Sequence, residues 1–292
     1  MNEVDERLEG VDGTEGDRSS RSRGRHRARR PLVAVGVLAA VTATLAALVV
    51  GPGLGSAAPA APTAPRSTCA QFGSLGVSGD KYVIANNRWG AATEQCITEN
   101  GPTGFTVSTA RHVNRTGPAG YPSIYRGCNY GYCTKGTPFP ARVSQLGDVR
   151  SSWATSGPTG GGIQLYATAY DIWFDPTTTN KGRNTGAEMM IWLNRTSWVQ
   201  PIGRKVATVR LAGTGWDVWY GRLDGLPVIS YVRQAPVTSV SNLPIRDFTT
   251  DATRRGVVRS PWYLTSVQAG FEPWTGGQGL TTRSFSVTRN GQ

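Results

Sequence analysis

Two glutamates, Glu188 and Glu272, stand out among the ionisable residues because each lies beside strand-like apolar sequence. Hydrolysis of a glycosidic bond requires such a pair: one carboxyl attacks the anomeric carbon or activates water, and the other protonates the leaving oxygen. The proton donor keeps its proton near neutral pH only in an apolar setting or beside a negative charge. Phe271 and Trp274 flank Glu272 and supply an apolar setting. Asp171 is placed to hydrogen-bond to Glu188 and to tune its ionisation.

Alternation along three strand-like segments predicts which side chains accompany these carboxylates, because successive side chains of a strand face opposite sides of a sheet. One set of faces is polar and aromatic: Glu188, Met190 and Trp192; Asp171, Trp173 and Asp175; Trp262, Ser266, Gln268 and Glu272. The opposite faces resemble a core: Met189, Ile191 and Leu193; Tyr170, Ile172 and Phe174; Tyr263, Thr265, Val267, Ala269 and Phe271. Carboxylates among tryptophans predict a sugar-binding groove, since sugar faces stack on indoles while sugar hydroxyls need polar partners.

The chain after residue 66 has the pattern of an all-β domain. Strand-like stretches occupy 82–89, 104–113, 162–174, 188–195, 205–212, 216–222, 227–233, 262–272 and 283–289. Glycine-rich turn signals separate many of them, and residues 247–256 are the candidate for one short helix or an irregular crossing. Strands at this spacing predict a sandwich or jelly roll.

The N-terminal residues predict export of that domain. Residues 1–30 are acidic up to Asp17 and then contain seven arginines, and residues 31–50 carry no charge. Twenty apolar residues span about 30 Å as a helix, which is the thickness of a bilayer core, and the preceding arginines hold that end in the cytoplasm. The segment is either a cleaved signal peptide or a retained signal-anchor. Residues 51–67 are predicted to be a linker and 68–292 one domain, secreted or anchored outside the cell.

Composition narrows the function further. Of the net charge of +12, residues 1–30 contribute +1, and the remaining +11 is scattered over residues 31–292, which argues against a nucleic-acid partner. Only two histidines occur, and there is no glycine-rich phosphate loop, so neither a metal nor a cofactor is expected. Four cysteines in an exported domain predict two disulfides with three possible pairings. The simplest pairing is Cys69–Cys96 with Cys128–Cys133.

Several strings together resemble the glycoside hydrolase family 12 endoglucanases, especially the secreted actinobacterial cellulases. They are NNRWG (86–90), YDIWF (170–174), GAEMMIWL (186–193), PIG (201–203), WDVWYG (216–221) and SPWYLTSVQAGFEPWTGGQGL (260–280). The resemblance covers essentially all of 67–292. It implies a jelly roll of two packed, curved antiparallel sheets with a substrate groove on the concave face. It also implies hydrolysis of internal β-1,4-glucosidic bonds with net retention.

The resemblance assigns roles to residues in the matching strings. It implies that Glu188 is the nucleophile, Glu272 the general acid/base and Asp171 a supporting carboxylate, and that Cys69–Cys96 and Cys128–Cys133 are the disulfides. The candidate substrate-binding residues are Asn87, Trp89 and Met190 from the resemblance, with Trp192, Gln268 and Trp274 beside the two glutamates. One position departs from the pattern: Ala167 stands where many family members carry asparagine, which leaves substrate preference or pH optimum open.

The sequence leaves alternatives open for the substrate and for the class of function. The expected substrate is a β-glucan, acted on by a monomer, but plain cellulose, mixed-linkage glucan and xyloglucan are not distinguished. A non-catalytic carbohydrate-binding jelly roll is the alternative of another class; it would keep groove tryptophans but would not need both glutamates.

Overall fold

The computed structural model describes residues 64–178 and 181–292. The predicted n-region, the apolar segment 31–50 and most of the linker therefore lie outside the described residues. Within the described ranges, no helix is long and apolar enough to cross a bilayer.

Eighteen strands, one α-helix and one short 3₁₀ turn make up the described part of the chain. The strands are β1 Ser67–Thr68, β2 Ser74–Val77, β3 Tyr82–Ala85, β4 Gln95–Glu99, β5 Phe105–Ala110, β6 His112–Val113, β7 Ser123–Asn129, β8 Tyr132–Cys133, β9 Ala141–Arg142, β10 Val149–Ser156, β11 Leu165–Asp175, β12 Ala187–Arg195, β13 Arg204–Leu211, β14 Thr214–Leu223, β15 Leu226–Arg233, β16 Ser239–Pro244, β17 Tyr263–Gly276 and β18 Thr281–Arg289. The helix α1 is Ile245–Arg254, and the 3₁₀ turn is Val143–Gln145.

The strands form two large sheets that pack as a jelly-roll sandwich. The six-stranded sheet has the order β1-β4-β5-β18-β10-β16, and the larger sheet has the order β13-β14-β15-β12-β11-β17-β7-β3-β2 with short strands at its margins. The predicted fold class is confirmed. The paired strands are antiparallel except for β12 and β15, which run parallel.

The core lies between the two sheets and is rich in aromatic side chains. Trp153 of the six-stranded sheet packs edge-on against Tyr170 of the larger sheet, with ring centroids 5.0 Å apart. Phe105 and Phe271 make a second such contact at 5.9 Å. Met189, Ile191 and Leu193 lie in this core, as their alternation predicts.

The helix α1 covers one end of the core where the sequence predicted a helix or a crossing. Its buried face includes Phe248, which contacts Trp216 and Tyr231 at centroid distances of 5.0 and 5.2 Å. The Tyr231 hydroxyl donates to Asp251 Oδ2 over 2.9 Å, so that acid fixes the helix to β15.

The faces predicted for the start of β17 are wrong, because the strand contains a β-bulge there. The register with β11 moves from Ser266 to Leu264 across consecutive β11 residues, so Thr265 is an additional residue. Such an insertion inverts the alternation on its far side. Leu264 therefore lies in the core and Trp262 packs against it, whereas Trp262 was predicted on the groove face and Tyr263 in the core.

Both disulfides have the predicted pairing. Cys69 is bonded to Cys96, which holds the N-terminal strand region against β4. Cys128 is bonded to Cys133 and closes the short hairpin of β7 and β8.

Candidate active site

The larger sheet carries a groove on the face opposite the core, with a cavity volume of about 1330 Å³. All nine predicted site residues line this groove: Glu188, Glu272, Asp171, Asn87, Trp89, Met190, Trp192, Gln268 and Trp274. The structure thus brings together strands that are up to about 185 residues apart in the chain.

Three adjacent strands present the three carboxyl groups. β11 lies between β12 and β17, and Asp171 on β11 is the cross-strand partner of Met190 on one side and Gln268 on the other. Directly paired residues share a sheet face. Since Glu188 precedes Met190 by two residues and Glu272 follows Gln268 by four, all three carboxyls face the groove.

Burial raises the pKa of both glutamates. Glu188 is only 7% exposed, and its pKa rises to about 7 despite the opposing positive charge of Arg183. The pKa of Glu272 rises to about 8, because burial is reinforced by the negative charge of Glu188. Ionisation of Glu188 therefore favours a protonated Glu272.

Asp171 has the environment of a protonated acid. Burial and then the charge of Glu188 raise its pKa well above the usual range. The indole nitrogen of Trp173 donates to Asp171 Oδ2 over 2.8 Å, whereas Oδ1 is buried without a hydrogen-bond partner. The proton of Asp171 therefore belongs on Oδ1, the oxygen that is not already accepting a hydrogen bond.

Tyr121 is a site residue that the sequence did not reveal. Its hydroxyl donates to the carbonyl oxygen of Ala169 over 2.8 Å, and its pKa is raised by burial and by the charges of Asp171, Glu272 and Glu188. Because its one proton is directed to that carbonyl, its oxygen can only accept hydrogen bonds from neighbouring carboxyls. It therefore favours protonated over ionised carboxyl groups.

A second, smaller apolar cluster lines the groove beside the carboxyls and includes Met190, Trp192 and Trp274. The Trp192 indole donates to the sulfur of Met190 over 3.4 Å, which fixes the thioether in the groove. Trp192 is 1% exposed, so it supports Met190 more than it offers a sugar-stacking surface. Trp274 contacts Trp198 edge-on at a centroid distance of 5.5 Å.

Ala167 belongs to the same apolar cluster and is the direct cross-strand partner of Glu272. It is fully buried. A methyl group at this position gives Glu272 an apolar neighbour where an asparagine would supply an amide. The departure seen in the sequence thus lies next to the candidate acid/base, and its physical effect is to favour the protonated form of that carboxyl.

Exposed aromatic side chains line the end of the groove near β2, β3 and β7. Trp89 is 50% exposed, and Phe72, Tyr130 and Tyr132 are also exposed. Of these four, only Trp89 was predicted. Tyr130 and Tyr132 flank Gly131 within the disulfide-closed hairpin, a spacing that could have identified them. Phe72 lies in an irregular segment with no such signal.

The sequence profile of glycosyl hydrolase family 12 matches residues 80–290. The chain belongs to glycosyl hydrolase family 12. It is therefore an enzyme, a glycoside hydrolase, and not a binding module without catalysis.

Solved family 12 structures are similar over the whole described domain. The endoglucanase cel12A from Rhodothermus marinus is 46% identical with a TM-score of 0.71, covering 76% of this chain and 98% of its own. The family 12 xyloglucanase from Bacillus licheniformis is 30% identical with a TM-score of 0.70, and the match covers 77% of this chain and 100% of the xyloglucanase chain. Among curated relatives, the probable cellulase Cel12b of Mycobacterium tuberculosis is 33% identical over 53% of this chain and 99% of its own length.

Proposed function

We propose that this family 12 hydrolase is a retaining endo-β-1,4-glucanase that cleaves internal glucosidic bonds of cellulose and related β-glucans. One observation carries the proposal: three adjacent strands present Glu188, Asp171 and Glu272 to one groove that is otherwise rich in aromatic side chains. Buried carboxyls supply the acid and nucleophile, and aromatic faces bind the sugar rings of a long chain.

The proposed reaction has two displacements. First, a carboxylate oxygen of Glu188 attacks the anomeric carbon, the glycosidic bond breaks, and the leaving oxygen takes the proton of Glu272. Then ionised Glu272 takes a proton from water, whose oxygen attacks the same carbon and releases Glu188. Both glutamates return to their starting protonation states.

The electrostatics support this division of roles. The negative charge of Glu188 raises the pKa of Glu272, so an ionised nucleophile favours the protonated form of the acid. Asp171, held protonated, carries its proton on the unpartnered Oδ1 and can donate it to the carboxylate of Glu188. Such a hydrogen bond favours ionised Glu188 and weakens as its charge passes to the sugar.

Retention is tested by the anomer of the first product. We expect the two catalytic carboxyls to be about 5–5.5 Å apart in a crystal structure, the spacing for direct attack, and the new reducing end to appear first as the β anomer by NMR. A separation beyond about 6.5 Å, with the α anomer appearing first, would establish inversion.

The glutamate roles are tested by substitution. Glu188→Gln should lower kcat on carboxymethyl cellulose by at least about 10³-fold, because the amide cannot form the glycosyl-enzyme, with an unchanged circular dichroism spectrum. The matched control is Glu94→Gln, an exposed glutamate paired with Arg111 outside the groove. Equal activity of the two variants would disprove the assignment.

Xyloglucan is the second candidate substrate. The probable xyloglucan-specific endo-beta-1,4-glucanase A of Neosartorya fischeri is 30% identical and covers 78% of this chain and 94% of its own length. A panel of carboxymethyl cellulose, barley glucan, xyloglucan and xylan, compared by kcat/KM, distinguishes the candidates. We expect activity on the β-1,4-glucans and none on xylan.

We also propose that residues 68–292 form one secreted or membrane-anchored catalytic domain that works as a monomer. The charge-free segment 31–50 after seven arginines supports export, and the two disulfides fit an oxidising compartment. Fractionation of the producing cells, with mass spectrometry of the mature N-terminus, separates cleavage from anchoring.

A further inference from the structure

A chain of buried hydrogen bonds runs from His112 on β6 towards the groove. The imidazole is 2% exposed; its Nδ1 lies 2.7 Å from Thr93 Oγ1 and its Nε2 lies 2.8 Å from Gln95 Oε1. Gln95 is fully buried, and its Nε2 donates to the backbone oxygen of Asn86 over 2.6 Å and to Asn86 Oδ1 over 2.9 Å. Neither His112 nor Gln95 lines the groove.

The direction of each hydrogen bond in this chain is determined. A backbone oxygen can only accept, so the atom of Gln95 that contacts Asn86 is the amide nitrogen, and its oxygen must accept from His112. His112 therefore carries its hydrogen on Nε2, and Nδ1 accepts from the Thr93 hydroxyl. Burial, together with the charge of Arg88, lowers the pKa of His112 to about 4, which keeps the imidazole neutral.

This chain ends on a strained piece of backbone. The Asn86 carbonyl belongs to the peptide that leads into Asn87, whose φ of 41° lies in the left-handed region that side-chain-bearing residues rarely adopt. The Asn87 carbonyl accepts from the Tyr121 backbone N–H over 2.8 Å on the other side. The conformation that places Asn87 and Trp89 in the groove is thus held from both ends.

We propose that His112 and Gln95 are positioning residues for glucan binding: they hold the segment 86–89 in the strained conformation that presents Asn87 and Trp89 to the sugar chain. The inference rests on the proposed function. The segment 86–89 follows β3, and β11, β17 and β7 separate β3 from β12, which carries Glu188. Because His112 and Gln95 act through this segment, they affect binding and not the bond being broken.

The first test is Gln95→Met, which keeps the size of the side chain but removes the donor to the Asn86 carbonyl. We expect KM for cellohexaose to rise about tenfold while kcat stays within twofold, since binding is lost equally in the ground state and the transition state. The effect should also shrink in a Trp89→Ala background, because both changes act through one segment.

Two substitutions of His112 provide a matched pair. His112→Gln keeps an N–H for Gln95 Oε1 and should leave KM near the wild-type value, whereas His112→Leu should reproduce Gln95→Met. Thr282→Val is the control for destabilisation alone: it removes a buried hydrogen bond from the Trp153 indole in the six-stranded sheet, so Tm should fall with KM unchanged.

The outcomes separate this inference from the proposed function. Wild-type KM in folded Gln95→Met and His112→Leu, or effects fully additive with Trp89→Ala, would overturn the positioning role while the hydrolase assignment stands. A wild-type protein that cleaves no β-glucan would overturn both. If Gln95→Met does not fold, the two His112 variants carry the same comparison.

Discussion

At the scale of residues, the pKa values of two aspartates on one strand shift in opposite directions. Asp171 and Asp175 lie four residues apart on β11 and both are buried. Burial disfavours ionisation of Asp175, but hydrogen bonds from Thr185 and Thr177 outweigh it and lower its pKa. Asp171 receives one hydrogen bond, which does not offset its burial and the charge of Glu188, so its pKa rises. The number of hydrogen-bond donors and the nearby charge, and not the residue type, therefore separate the pKa values of these two carboxyls.

Glu272→Gln should stabilise the folded protein at alkaline pH. The pKa of Glu272 is about 8 when folded and 4.5 when unfolded, so the folded state binds the proton more tightly between these values. Stability of the wild type therefore falls as pH rises from about 4.5 to 8. The neutral amide escapes this loss, and we expect Tm to exceed that of the wild type by a few degrees at pH 8 and by nothing at pH 4.

Glu99→Gln is the control with the opposite sign. A hydrogen bond from Arg66 lowers the pKa of Glu99, so its stabilising contribution is present above the unfolded pKa of 4.5 and lost in acid. This variant should lose Tm at pH 8 relative to the wild type. Thermal unfolding at pH 4, 6 and 8 measures Tm for both variants and the wild type. If Glu272→Gln has a Tm above the wild-type value at pH 4 as well as at pH 8, ionisation of Glu272 is not the cause of the difference.

At the scale of elements, the disulfides fasten two different parts of the groove wall. The Cys128–Cys133 bond closes the hairpin that carries Tyr130 and Tyr132. The Cys69–Cys96 bond joins β4 to the segment just before Phe72, which also lines the groove. Their sequence separations are 5 and 27 residues. Because a longer closed loop removes more entropy from the unfolded chain, the two bonds should stabilise unequally.

Paired Cys→Ala substitutions measure that difference. Removing Cys69–Cys96 should lower the free energy of unfolding by about 3.5 kcal/mol, and removing Cys128–Cys133 by about 2 kcal/mol. Urea denaturation of the three proteins gives both values. The reverse order would show that native-state contacts, and not loop closure, dominate. We also expect a higher KM without Cys128–Cys133, since its hairpin lines the groove.

At the scale of the whole molecule, the sandwich core supports the groove from behind. Trp153 on β10 contacts Tyr170 and Phe271, which directly precede Asp171 and Glu272 in the sequence. Each strand thus presents an aromatic core residue on one face and a carboxyl on the other. Packing between the sheets therefore determines the positions of the candidate catalytic groups.

Trp153→Ala should destabilise the protein by about 3–5 kcal/mol, because a fully buried indole leaves a cavity and Thr282 loses its hydrogen-bond donor. At roughly 2–4 °C per kcal/mol, Tm should fall by about 10 °C. Trp89→Ala removes the same side chain from a half-exposed position and should change Tm little while raising KM. Calorimetry on both variants makes the comparison, and equal Tm changes would contradict it.

The sequence alone determined the features that depend on local periodicity. Regular alternation on β12 separated Glu188 and Met190 from Met189 and Ile191, and the structure confirms both faces. The fold class, most long strands and the cysteine pairs were likewise predictable. Short strands such as β2, β4, β7 and β16 were not, because four to seven residues give too little periodic signal.

Only the tertiary structure decided what depends on register between distant strands. The bulge at Thr265 moved Trp262 out of the predicted groove face, since one inserted residue inverts the alternation. The pairing of Ala167 with Glu272, the hydroxyl of Tyr121 near the carboxyls and the hydrogen bonds from His112 to Asn86 all join separate segments. Such contacts are set by how the sheets pair and pack, and no spacing within one segment encodes them.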